Sequence, residues 1–201
     1  AVDSIVTVDF VTTSNSAHSN TDYLYSAGTL TFNPEELTQT ITISIVDTDL
    51  VEIDEKLRVN LSNIQANNRA VSFADDQGEI LILDDDQATI SIDDVTVDEA
   101  AGYARLTVSL DQPVGILIAV DLATVDVSAE GGTDYVPKST TLFINAGELT
   151  AQFLILLRDS DLVENDETFL INLSRIQSTG ADVIFADDQS QVTIIDDDQA
   201  V

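Results

Sequence analysis

The chain has 201 residues, 44% of them hydrophobic, which suits one large or two modest domains with a real core. Its 37 acids against 7 Lys plus Arg give a formal net charge of −30, which excludes nucleic-acid backbones and anionic membranes as partners and points to cations or basic proteins. The absence of cysteine excludes disulfides, thiolate metal sites and thiol nucleophiles.

From the N-terminus the chain passes through "SIVTVDFVTT", "TDY" at Thr21, "DTDLVEIDE" from Asp47, "FADDQ" and "DDDQA" from Asp84. Each segment recurs 112 positions later, as "ILIAVDLATV", "TDY" at Thr133, "DSDLVENDE" from Asp159, "FADDQ" and "DDDQA", without a gap. About half the residues between 21 and 88 are identical to their partners. Two copies of one module are expected, over 1–87 and 88–201. The first copy lacks counterparts of "ATISIDDVTVDEA" and "YARLTVSL", which open the second.

The complete copy reads strand after strand. After a first strand at 89–97, Ala104, Leu106, Val108 and Leu110 alternate with Arg105, Thr107 and Ser109, the mark of a half-buried strand. Further strands follow at 116–123, 139–144, 150–157, 168–173 and 191–195, with "DQPVG", "SAEGGTD" and "NAGE" as turn-rich separators. Seven short strands, lettered A to G, predict an all-β fold: two tandem immunoglobulin-like antiparallel β-sandwiches, the first lacking its two N-terminal strands. Without A and B, only strand E is left to cover the C, D, F and G sheet of the first copy. The expectation is that the chain extends upstream, or that a neighbouring copy or another protein donates strands. No apolar run approaches a membrane span and no signal-peptide pattern is present, so no direct membrane insertion is expected. The lack of any Met, initiator included, suggests a piece of a longer or processed product.

The acids are clustered. Five short windows, with Asp22 and Asp134, hold 27 of the 37. In a sandwich whose strands run alternately up and down, the A–B, C–D and E–F connections and the end of strand G share one pole. That pole collects Glu99, Asp134, Asp159, Asp161, Glu164, Glu167, Asp196, Asp197 and Asp198. Two carboxylates roughly 5 Å apart repel by about 3 kcal/mol at an effective dielectric near 20, so the cluster calls for cations. Calcium, which takes roughly 6–8 oxygen ligands in flexible geometry, fits better than magnesium, and two or more calcium ions per complete module are expected.

The ordered motifs "VDEA", "GGTDY", "TLFINAGE", "RDSDLVENDETFLINLS" and "VTIIDDD" resemble the Calx-beta domain, found in the regulatory region of sodium/calcium exchangers, in an integrin β4 tail and in many large bacterial surface proteins. The resemblance covers 89–198 completely and the first copy over 5–86. It implies calcium at one pole, with the nine second-copy residues as ligands and the Leu162 carbonyl as an addition. In the first copy it implies Asp22, Asp47, Asp49, Glu52, Glu55, Asp84, Asp85 and Asp86. Ser160 and Thr48 stand where the best calcium-binding members carry aspartate, and the first copy lacks a counterpart of Glu99. On the alternative without metal the acids are inherited loop residues, with Asp54 and Asp166 merely bonding backbone amides.

An EF-hand at "DSDLVENDE" is excluded because its sixth position is Glu164 and its twelfth Leu170. Enzymatic activity is not expected: the single histidine, His18, lies in a polar loop, and there is no Trp for sugar stacking beside the carboxylate pairs. The sequence reading is therefore a calcium-stiffened structural or adhesive segment, extracellular or at the cell surface, with neighbouring modules as partners. A calcium-sensing regulatory module of a larger protein and an acidic domain without metal are the alternatives. Ions at Asp84, Asp85 and Asp86 would set the inter-module angle, with Asp187 and Asp188 either assisting or forming a plain solvated turn.

Overall fold

In the computed structural model, which describes residues 3–199, apolar alternation becomes a strand only where another strand is available to pair with it. The chain divides into two compact units. The first takes the residues up to Thr48 and Asp54–Asp84; the second takes Asp49–Ile53 and everything from Asp85 onward.

In the first unit β1 (Val6–Ser14), β2 (Ala27–Phe32), β3 (Glu55–Gln65) and β4 (Gln77–Ile82) form one antiparallel sheet in the order β2-β1-β3-β4. These are the predicted strands C, D, F and G. Ala17, Tyr23 and Leu57 make a small core with Ile43, Ile80 and Ile82 against it. Val6, Val8, Phe32 and Leu61 of the sheet, with Phe73 from the β3–β4 connection, line an open groove of about 540 Å³.

The second unit is a complete sandwich built from β5 (Ala88–Ile92), β6 (Val95–Asp98), β7 (Tyr103–Leu110), β8 (Ile118–Asp126), β9 (Ser139–Ile144), β10 (Thr150–Leu156), β11 (Glu167–Gln177), β12 (Val183–Phe185) and β13 (Gln189–Ile195). One sheet runs β10-β7-β5-β12 and the other β6-β13-β11-β8-β9. Ile90, Leu106 and Val108 of the former join Val120, Phe169 and Val192 of the latter in one buried cluster. The immunoglobulin-like, all-β architecture expected from the strand pattern is what forms.

Predicted strand A is split. Its halves serve different sheets: β5 pairs antiparallel with β7 and parallel with β12, and β6 pairs parallel with β13. The crossing is pinned where Ser190 Oγ donates to the Asp93 carbonyl at 2.8 Å and the Gln191 N–H to Asp94 Oδ1 at 2.7 Å.

Strand E of the first copy does not form, contrary to expectation. Its counterpart β10 is an edge strand whose partner in the sheet is β7, and β12 is an edge strand whose partner is β5. Among the described residues the first unit has no equivalent of β5 or β7, and residues 38–44 and 71–73 lie outside any strand despite the same alternation. An unpaired strand leaves its backbone N–H and C=O groups without a ladder, and alternation alone does not supply one. No helix among the described residues is long and apolar enough to cross a membrane.

Candidate metal centre

The second unit's acidic pole is assembled by backbone geometry before any side chain is considered. After β6 a short 3-10 turn, Glu99–Ala101, carries Glu99 inward, and Gly102, at φ 75°, turns the chain into β7. That left-handed conformation suits glycine. Three hydrogen bonds lash the loops together: Leu157 N–H to the Gly102 carbonyl at 3.1 Å, Arg158 N–H to the Asp134 carbonyl at 2.9 Å, and Ser160 N–H to Glu99 Oε1 at 2.8 Å. Glu167 begins β11, and Asp196, Asp197 and Asp198 follow directly on β13.

The four segments deliver their carboxylates to one place. Oxygens of Glu99, Asp159 and Asp197 lie within 4.8 Å of one another. Glu99, Asp134, Glu164, Glu167 and Asp196 line a small recess together with Arg158 and Asn165. Glu99 is 7% exposed. Desolvation, then the charges of Asp159, Glu164 and Asp196, raise its carboxyl above the ordinary range against the opposing Ser160 hydrogen bond. Glu167 is pushed up to about 7, first by desolvation, then by Asp134, with which it also shares a hydrogen bond. Asp198 is raised by desolvation and by Asp196, Asp197, Asp161 and Asp159. Every one of the nine second-copy acids thus feels at least one other.

Two oxygens at this pole, Asp196 Oδ1 and Asp198 Oδ2, are buried without a hydrogen-bond partner. Enclosed polar atoms are rarely left without a partner. An oxygen-only donor set with orphaned carboxylate oxygens fits a hard cation with many ligands.

The first-copy acids are distributed differently. Asp22, Asp47, Glu55 and Asp84 lie in the first unit; Asp49, Glu52, Asp85 and Asp86 lie in the second. Asp22 and Glu55 are joined by a side-chain hydrogen bond, the counterpart of Asp134 with Glu167. Asp22 Oδ2 also accepts from the His18 N–H at 2.5 Å, and Asp134 Oδ2 from the Glu130 N–H at 2.6 Å, so both aspartates close their loops as well as facing the acids. Asp54 Oδ1 accepts from the Asp84 N–H at 3.2 Å. Asp187 accepts from the Gln189 N–H at 3.1 Å inside the β12–β13 turn. His18 is exposed.

Sequence reasoning missed Arg158 and the Ser160 amide. Arg158 had a signal, since its repeat counterpart is Val46 and a cation beside nine acids stands out. The amide had none, because a main-chain donor is the same in every residue.

The second unit is a complete β-sandwich whose pole gathers carboxylates from four segments distant in sequence. The Calx-beta domain model matches residues 1–86 and 84–198, and the chain belongs to that family. Sodium/calcium exchanger 2 of Rattus norvegicus is 30% identical over 187 residues, covering 85% of this chain and 20% of its own length. Sodium/calcium exchanger 3 of Homo sapiens is 27% identical over 188 residues, covering 83% and 20%. The chain therefore spans about a fifth of the length of these relatives. The crystal structure of the apo-form Calx CBD1 domain aligns with a TM-score of 0.51 at 26% identity, over 56% of this chain and 100% of that one. The relatives correct one expectation: the modules they share with this chain belong to ion exchangers and not to surface adhesins, which overturns the extracellular or cell-surface location.

Proposed function

We propose that the chain is a calcium-binding regulatory module pair of a larger protein, without catalytic activity. Two or more ions are held at the second unit's pole by Glu99, Asp134, Asp159, Asp161, Glu164, Glu167, Asp196, Asp197 and Asp198. The observation that carries this reading is the pair of buried, partnerless oxygens on Asp196 and Asp198. An acidic domain without metal leaves them unexplained. Calcium prefers such a cage, whereas magnesium retains its waters. In the first unit the Asp22 and Glu55 pair, with Asp47 and Asp84, supports a second site. Calorimetric titration of the chelator-stripped chain tests the reading. Saturable calcium binding that Glu99→Gln weakens supports it; heats no larger than dilution refute it.

The partner reading for the first unit's groove is a pair of strands patterned like β5 and β7. Its support is that residues 38–44 and 71–73, whose repeat counterparts pair with those two strands, remain outside any strand.

A further inference from the structure

The motif Asp-Leu-Val-Glu occurs twice, and its copies have opposite surroundings. Asp49–Ile53 belongs to the second unit. There Val51 is 0% exposed and part of the main core cluster. Its N–H donates to the Pro113 carbonyl at 3.1 Å, its own carbonyl accepts from the Gly115 N–H at 2.8 Å, and it bridges in parallel to Val114. The receiving turn has little room to spare: a Cβ at Gly115 would stand 3.3 Å from both Cγ and Oε1 of Glu52.

Shifted by 112 positions, Leu162 and Val163 hold the same places in the same motif. They are 66% and 54% exposed. The local sequence is nearly the same in the two copies, so its intrinsic preferences do not account for the difference. The Pro-Val-Gly turn that receives Val51 does. A loop that sets two adjacent aliphatic side chains in water between Asp161 and Glu164 has the form of a small interaction surface with a defined complement.

We propose that residues 161–165 are a docking plug for the Pro-Val-Gly turn of a further module of this kind, joined head to tail after Asp198, in the geometry Val51 makes with Pro113 and Gly115. The covalent arrangement follows from the repeat, since Asp84, Asp85 and Asp86 lead directly into β5 of the module that carries the receiving turn, and Asp196, Asp197 and Asp198 close the second copy in the same way. The inference rests on apolar burial and two backbone hydrogen bonds; because residues 161–165 include Asp161 and Glu164, which the proposed function gives to calcium, both chains are compared with calcium in excess.

The test is amide hydrogen exchange on a three-repeat chain, residues 1–198 followed by a second copy of residues 87–198, in excess calcium beside the 201-residue chain. The Val163 amide is expected to exchange more than about tenfold more slowly in the longer chain, as a newly bonded and buried N–H does. Val114→Asp or Gly115→Val, placed in the appended copy alone, should return it to the original rate while the appended β7 and β8 amides report that the copy is folded. Two such variants guard against one that fails to fold. Unchanged exchange at Val163 in the longer chain overturns the proposal, as does slowed exchange that survives both variants.

Discussion

The Ser160 N–H donates to Glu99 Oε1 at 2.8 Å, joining residues 61 positions apart. This bond holds the Glu99 carboxylate toward Asp159 and Asp197. Glu99→Gln keeps the shape and the acceptor but removes the charge. Calcium affinity of the second unit is expected to fall at least about tenfold by calorimetry. The metal-free form should melt higher, since a carboxylate crowded by like charges has been neutralised.

Arg158 is the single basic side chain lining the recess, and Val46 is its counterpart in the first copy. A guanidinium beside the carboxylates competes with a metal for their charge. Arg158→Val should strengthen calcium binding by about threefold to tenfold, an effect that shrinks as salt is raised. An unchanged titration would show that the guanidinium does not feel the ions.

The pH dependence has a definite sign. Glu167 rises from its ordinary 4.5 to about 7, and Glu99 and Asp198 are also raised. Between about 4.5 and 7 the folded state therefore binds more protons than the unfolded chain, and the stability of the metal-free protein falls as pH rises through that window. Melting curves in chelator should decline from about pH 5 to about pH 7.5, and Glu167→Gln should flatten them. Calcium requires ionised ligands, so its affinity should rise over the same range.

Tyr135 and Tyr23 are repeat counterparts with different partners. The Tyr135 hydroxyl donates to Asp126 Oδ1 at 2.5 Å and its ring stacks on Phe169 at 4.0 Å, whereas Tyr23 meets Ser14 Oγ at 3.3 Å. Bonds to charged acceptors are stronger than neutral ones, so Tyr135→Phe should cost about 1.5–3 kcal/mol in denaturant unfolding and Tyr23→Phe about 0.5–1.5. Equal costs would show that the Asp126 charge contributes nothing.

A peptide spanning residues 87–111, which carries β5 and β7, is expected to seat in the first unit's groove. On adding it, amides within 38–44 and 71–73 should gain exchange protection together, as two edge strands acquiring partners. Protection of neither segment would remove the strand-pair reading.

Much of this was legible in the sequence because repetition and alternation are local signals. The 112-residue offset and the alternation of Ala104, Leu106, Val108 and Leu110 lead directly to the repeat and to the second unit's sandwich, and strand order leads to the shared pole. What escaped depends on partners. Residues 38–44 alternate as β10 does, but strand formation is decided by β7, a segment elsewhere in the chain. The division of strand A at Asp93 and Asp94 likewise reflects which sheet each half reaches. Of the four tyrosines, Tyr23 and Tyr135 pack in the cores, while Tyr25 and Tyr103 are exposed, a difference their immediate neighbours do not encode.

The most direct measurement is a calcium titration of the chelator-stripped chain by calorimetry, with melting curves in calcium and magnesium alongside. More than one ion should bind the second unit, and at free calcium about a hundred times Kd each should add about 2.7 kcal/mol of stability, with magnesium adding much less. An absence of binding heat, with melting unchanged in millimolar calcium, would contradict the account.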